Sequence, residues 1–355
     1  MFEAAHASKA PRLVAVLLNW AKAFDRIKHE SLLQALRRFG VPDCMVDMIA
    51  GIYRERRVIL QDPAGESSTR QQRAGIAQGC PLSPHLFITV QSVMLFDVDV
   101  RIQGAHATVQ EPDFIQCSDL LYADDTMLTS SCADKLQTLL DTVIDEGKRY
   151  GLELNWKKTV LMRVRNAGSL RDPSGDSLPV VDQAVYLGGL LNTGCIAKPE
   201  FTRRLGEARG VFKSLQQCWS HANISKARKV RLYRAIVVPK LLYNLESAWA
   251  LQADRDRLNS FHVQCLRKIC RVPCAYVSRV PNRSILEQTG EHNLSEDLLE
   301  RQKKLYNDIA ALSEEHPLRR LTCEANSNLP RIWDTNRSRG RPKQQWAPSV
   351  YAALP

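Results

Sequence analysis

The stretch "LLYADDTMLTS" (residues 120–130) constrains this chain more than any other. Strand-forming residues stand on both sides of Ala123–Asp124–Asp125, so the segment reads as two strands joined at a tight bend. The bend holds the Asp124 and Asp125 carboxylates a few ångströms apart, which is unfavourable without a cation or partial protonation. Two divalent ions about 4 Å apart are the usual solution in enzymes that transfer phosphoryl groups. An Asp-Asp pair also favours turns through its own Asx hydrogen bonds, so the dipeptide alone leaves both readings open.

The neighbouring segments supply the context. "RLVAVLL" (12–18) is a nearly continuous apolar run, the pattern of a strand buried on both faces. "HESLLQALRRFG" spaces Leu32, Leu33, Leu36 and Phe39 as a helix that Gly40 ends. "VPDCMVDMIAGIY" reads as a second helix, and "RRVILQDPAGESSTRQQRAG" (56–75) reads as a hairpin of two strand-like pieces around Pro63–Ala64–Gly65. An apolar helix follows Gly79–Cys80–Pro81. "ADKLQTLLDTVIDEGKRYG" is amphipathic, with a stripe of Leu136, Leu139, Leu140, Val143 and Ile144. Strands are expected near 160–165 and 180–191. From about residue 199 the pattern becomes helical and stays so. The fold class is therefore α+β, followed by an all-helical region.

Charge follows the same division. Residues 201–355 carry 27 Lys+Arg against 14 Asp+Glu, whereas residues 1–200 carry 22 against 24. A near-neutral first part and a strongly basic second part fit chemistry in one and a polyanion held by the other, although solvated basic surfaces are common. The longest apolar runs are too short to span a bilayer, so no membrane partner is expected, and "MFEAAHASKAPRL" lacks the pattern of a signal peptide. The ten cysteines are scattered. Only His262, Cys265, Cys270 and Cys274 cluster, in a segment that reads as helix and fits no common zinc spacing. Small buried hydrophobes are the expected role for these cysteines.

Five short segments occur in a fixed order: "NWAKAFD" (19–25), "GIAQGCPLSP" (75–84), "YADD" (122–125), "GLELNWKKT" (151–159) and "VYLGGLL" (185–191). Together they resemble the reverse transcriptase of a non-LTR, LINE-type retrotransposon, closely over about residues 12–195 and more loosely to about 320. The resemblance implies a right-hand polymerase palm, an antiparallel sheet with helices, over 1–195. It implies a basic helical thumb or connection region over 196–322 and a basic, flexible tail over 323–355. It also implies RNA-directed DNA synthesis with two Mg²⁺ ions (Mn²⁺ as a substitute), an RNA template, a DNA primer and dNTPs. The expected location is intracellular, nuclear or in a cytoplasmic ribonucleoprotein.

Position by position, Asp124 and Asp125 would hold the metals. Phe24 would exclude a 2′-hydroxyl from the incoming nucleotide, while Gln78, Gly79 and Tyr122 would line the substrate. Lys158 would act as general acid toward pyrophosphate, and Tyr186, Leu187 and Gly188 would form the turn that supports the primer end. Phe24 also reads as a plain core aromatic, and Lys158 as a solvated lysine beside Lys157.

Two departures from the family pattern stand out. The family places an Asp five residues before the Phe, where this chain has Asn19. A neutral amide is a poor substitute for a bridging carboxylate toward hard Mg²⁺. Asp25 lies past the strand end and is expected to serve the following helix instead. Also, only about ten residues precede the first palm strand, so the fingers region is expected to be largely absent. A non-catalytic, nucleic-acid-binding retroelement remnant is accordingly the alternative to an active polymerase.

Overall fold

The structure is a computed structural model that describes residues 1–7, 12–54, 56–61, 65, 67–103, 119–122, 125–221, 223–333 and 344–354. The chain divides into two compact units, one of Ala10–Leu187 and one of Met1–Lys9 with Gly188–Pro355.

In the first unit the apolar run becomes β1 (Leu13–Asn19), buried along almost its whole length. It is an inner strand because six consecutive apolar residues leave no face for water, and each Val or Leu so buried contributes about 1.5–3 kcal/mol. The next strands in the chain are β2 (Arg57–Gln61) and β3 (Ser67–Gln71), which pair with each other as the expected antiparallel hairpin. Then come β4 (Asp119–Tyr122), β5 (Asp125–Ser130) and β6 (Val160–Val164). They join β1 in one sheet of order β4-β5-β1-β6, in which every neighbouring pair is antiparallel.

One face of this sheet is covered by helices. Val14, Val16 and Leu18 alternate toward it and share a core with Leu128, Leu161 and the helices His29–Phe39, Ser83–Gln103 and Ala133–Tyr150. The stripe of the last helix lies as the spacing predicts, with Leu136, Leu140, Val143 and Ile144 buried. Its buried Glu146 accepts from Arg101 at 2.7 Å and Arg149 at 2.6 Å, so two cations compensate the charge that burial isolates. Phe39, at the last helical residue before Gly40, is 59% exposed, so the stripe outlasts the surface it packs on.

The described residues of the second unit are mainly helical, with one strand, β8 (Gly189–Asn192). Its main core joins Lys198–Ser214 to Gln252–Cys270 and Leu294–Ala310 through Phe201, Leu205, Tyr233, Leu258, Leu266 and Leu298. His262 and Cys265 are buried within it while Cys274 is exposed. Two features differ from the sequence reading. Helix Phe2–Ala7 belongs to this unit and not to the sheet: Ala4 and Ala5 are fully buried, and Glu3 accepts from the Trp346 amide at 2.9 Å. The basic tail is partly folded, because Trp346–Tyr351 forms a helix whose Ala347 and Val350 pack on Tyr306 and Cys323. The arginine-rich stretch 334–343 lies outside the described residues. Among the described residues no helix is long and apolar enough to cross a membrane.

Candidate active site

The hairpin places its second carboxylate directly. Tyr122 on β4 pairs with Asp125 on β5, and Asp125 pairs on its other side with Asn19, the last residue of β1. Directly opposed residues share a face with Cβ atoms about 5 Å apart, so Tyr122, Asp125 and Asn19 form a row across three strands. The row lies on the face away from the helices, because the intervening residues Leu18 and Thr126 face the helical core. Asp124 and Ala123 lie outside the described residues. Among the described residues no three His, Cys, Asp or Glu side chains come together as a metal site. The position facing Asp125 is filled by an amide.

Behind the row the sheet is pinned by a buried polar hub. The Thr126 hydroxyl oxygen accepts from Trp20 Nε1 at 3.2 Å and from Gln91 Nε2 at 3.3 Å. Both donors come from the helical side, so the strand carrying Asp125 is fixed by hydrogen bonds that pack on its back. In a buried setting such bonds are costly to break.

The Lys158 turn docks on Asn19. The Asn155 amide donates to the Asn19 carbonyl at 2.7 Å, and the Asn155 carbonyl accepts from the Lys158 and Thr159 amides at 3.0 Å. The adjoining Ala21 amide donates to the Glu153 carbonyl at 2.8 Å. Lys157 and Lys158 are both exposed on this turn. On the opposite edge, Tyr186 in β7 (Gln183–Tyr186) donates to the Leu120 carbonyl at 3.0 Å. Burial, and then the negative charge of Asp125, push the Tyr186 hydroxyl up to about 12, so it stays protonated and stays a donor.

Phe24 and Gln78 meet at a second corner. Phe24, half-buried in helix Ala23–Arg26, stacks on the buried Phe87 ring at 4.8 Å, and its carbonyl accepts from the Ile76 amide at 2.7 Å. Gln78 donates to the Asp25 carboxylate at 3.0 Å. Asp25 thus neither turns back toward the hairpin nor caps a helix; it sits inside one and holds the "GIAQG" loop. The loop approaches so closely that a Cβ on Gly75, at φ +87°, would stand 2.7 Å from the Asp25 carbonyl oxygen. Gly79, at φ +84°, is exposed with open space around it.

Leu187 and Gly188 both have positive φ, 49° and 73°. In the second unit the Gly188 carbonyl accepts from Arg203 at 2.6 Å and from the buried Arg204. A Cβ on Gly188 would meet the Tyr243 ring at 3.3 Å. Sequence reasoning missed this clamp. The signal was present: Glu200 and Glu207 stand three and four residues from Arg203 and Arg204, the spacing of a paired helix face. It also missed Tyr186 as a neighbour of Asp125, because nothing local ties residue 186 to residue 125.

Comparisons with known proteins identify the family. Residues 3–191 match the family described as reverse transcriptase (RNA-dependent DNA polymerase). A Pol polyprotein of the type-1 retrotransposable element R2 from Popillia japonica is 31% identical over 65% of this chain and 33% of that protein. The type-2 element R2DM polyprotein of Drosophila melanogaster is 26% identical over 74% of this chain and 25% of that protein. The RNA-directed DNA polymerase from mobile element jockey of Drosophila funebris is 26% identical over 72% and 28%. The chain therefore spans a third or less of the length of these relatives. With the family matched across the sheet, the hairpin and the turns around them, this chain belongs to the reverse transcriptases, in the branch of the non-LTR retrotransposons.

Proposed function

We propose that the Ala10–Leu187 unit is the catalytic palm of an RNA-directed DNA polymerase in which one metal-binding position is degraded. The observation that carries this reading is the cross-strand pairing of Asn19 with Asp125 at the mouth of the hairpin. Reverse transcriptases generally use divalent metals. The donors suit a hard cation, since Asp124, Asp125 and Asn19 offer oxygen only and no thiolate or imidazole. Two carboxylates and one neutral amide suit a single ion better than a pair. When bound, divalent ions activate the attacking primer oxygen and offset charge on the leaving pyrophosphate.

The chain's own residues would do the rest. Asp124 and Asp125 would hold the cation, with Asn19 as a weaker third donor. Phe24, stacked on Phe87, would wall the sugar of a dNTP. Gln78, held by Asp25, and the exposed Gly79 and Tyr122 would border the nascent pair on the RNA template. Lys158 would offer its proton to pyrophosphate from the turn docked on Asn19. Leu187 and Gly188 would support the DNA primer end. Tyr186 would keep the β4 edge in place beside Asp125.

The test is primer extension on a poly(rA) template with an oligo(dT) primer and Mg²⁺ or Mn²⁺. Weak incorporation of dTMP that disappears in Asp125→Asn supports the reading. Incorporation that survives Asp125→Asn contradicts it. Asn19 itself favours the second reading, a nucleic-acid-binding remnant; no incorporation under any metal, with RNA binding intact, decides for that one.

A further inference from the structure

The second unit holds a groove that none of the polymerase roles uses. It measures about 560 Å³ and runs between helices Lys198–Ser214 and Gln252–Cys270. Arg209 and Lys213 stand one helical turn apart on the first helix, and Lys268 and Arg271 stand at the end of the second. All four are exposed, and among the described residues no Asp or Glu lines the groove. The floor is aromatic: Phe212, Trp219 and Phe261 are each at least nine-tenths buried. Phe212 and Trp219 stack at 5.0 Å, and Trp219 Nε1 donates to the Phe212 carbonyl at 2.7 Å, so this floor is rigid.

The contrast with the unit's other cations is informative. Lys229 and Arg267 are buried and donate to backbone carbonyls, at 2.7 Å for His221 and 2.8 Å for Pro273. Arg234 pairs with Glu291 and Asp297. Those charges serve the fold. Among the described residues, Arg271 alone of the groove's four cations has a hydrogen bond, at 2.6 Å to the Ser220 carbonyl, and that leaves its charge uncompensated. Four unneutralised cations at the rim of an apolar cavity large enough for one nucleotide describe a site for an aromatic anion.

We propose that this groove binds single-stranded RNA, with phosphates on Arg209, Lys213, Lys268 and Arg271 and one unpaired base against the aromatic floor. The choice of a nucleotide strand over another aromatic anion rests on the polymerase reading. The site lies wholly within the second unit and shares no residue with the Asp125 row.

The test is fluorescence anisotropy of the whole chain with a labelled ten-nucleotide oligo(U), at several KCl concentrations. Lys213→Glu/Lys268→Glu is compared with Arg301→Glu/Lys304→Glu, an equal charge change on exposed residues outside the groove. The groove variant should weaken binding at least tenfold more than the other pair. Its salt slope should fall by about 1.4, the share of two phosphate contacts on a single strand. An abasic strand of the same length should bind the unchanged chain more weakly. Equal losses in the two variants would reduce the site to diffuse charge and overturn the proposal. An abasic strand or inorganic polyphosphate that binds as tightly as oligo(U) would overturn it too. Binding is read without catalysis, so primer extension by the groove variant on a saturating template separates failure here from failure of the polymerase reading.

Discussion

At the scale of single residues, the proposed metal site turns on one charge, the one that residue 19 lacks. Asn19 pairs with Asp125 across the sheet, and its carbonyl accepts from the Asn155 amide. The identity of residue 19 was legible from the "NWAKAFD" segment; its pairing partner was not, because pairing across 106 positions is set by the sheet and not by local pattern. A second residue, in the other unit, has a measurable consequence of its own. His262 is buried with Nδ1 2.9 Å from the Tyr233 hydroxyl. Burial, and then the Arg234 charge, lower its pKa to about 4. Unfolded histidine titrates near 6.5, so between these values the unfolded chain binds a proton that the folded chain refuses, and stability falls as pH drops. Urea unfolding at pH 7 and pH 4.5 should show this loss, on the order of 2 kcal/mol of it from His262. In His262→Leu that share of the pH dependence should vanish; an unchanged pH dependence would deny the ring its role.

At the scale of elements, the strands and helices were largely legible because their periods are clean. The continuous run 13–18 became an inner strand, the segments flanking the "YADD" bend an antiparallel pair, and the amphipathic stripe of 133–150 a core helix. Less legible were the contacts that join loops to elements. The "KAFD" and "GIAQG" segments were expected to serve one substrate, but not to bond to each other through Phe24 to Ile76 and Gln78 to Asp25. Such backbone bonds leave no mark on composition. The two glycines of that loop provide a graded test. In Gly75→Ala the new methyl meets the Asp25 backbone at 2.7 Å in a left-handed conformation, so a loss of about 3 kcal/mol or more is expected. Gly79→Ala meets open space and should cost only about 1 kcal/mol of left-handed strain. Thermal melts that rank the two in the opposite order would refute the packing of this loop on Asp25.

At the scale of the whole molecule, the division into two units follows the change in charge only in part. The chain passes from one unit to the other at Leu187–Gly188, and its first nine residues return to the second unit. Their affiliation was hidden because "FEAAHA" carries no period strong enough to assign a partner; the Glu3–Trp346 bond and two buried alanines decide it. Deleting residues 1–9 should therefore raise hydrogen exchange in helices Leu294–Ala310 and Trp346–Tyr351 while β1 and β5 keep their protection. Loss of protection in the sheet instead would reassign the segment. The basic excess of residues 201–355 likewise overstated the free positive surface, since Arg204, Lys229 and Arg267 are spent inside the fold. The central claim concerns the chemistry of the whole chain, and the initial rate of dTMP incorporation in Mg²⁺ by the chain and by Asn19→Asp tests it most directly. Restoring the third carboxylate should raise the rate about 100-fold or more, as several kcal/mol of metal-dependent stabilisation would. An unchanged chain that already extends primers as fast as Asn19→Asp would contradict the claim that residue 19 limits this site.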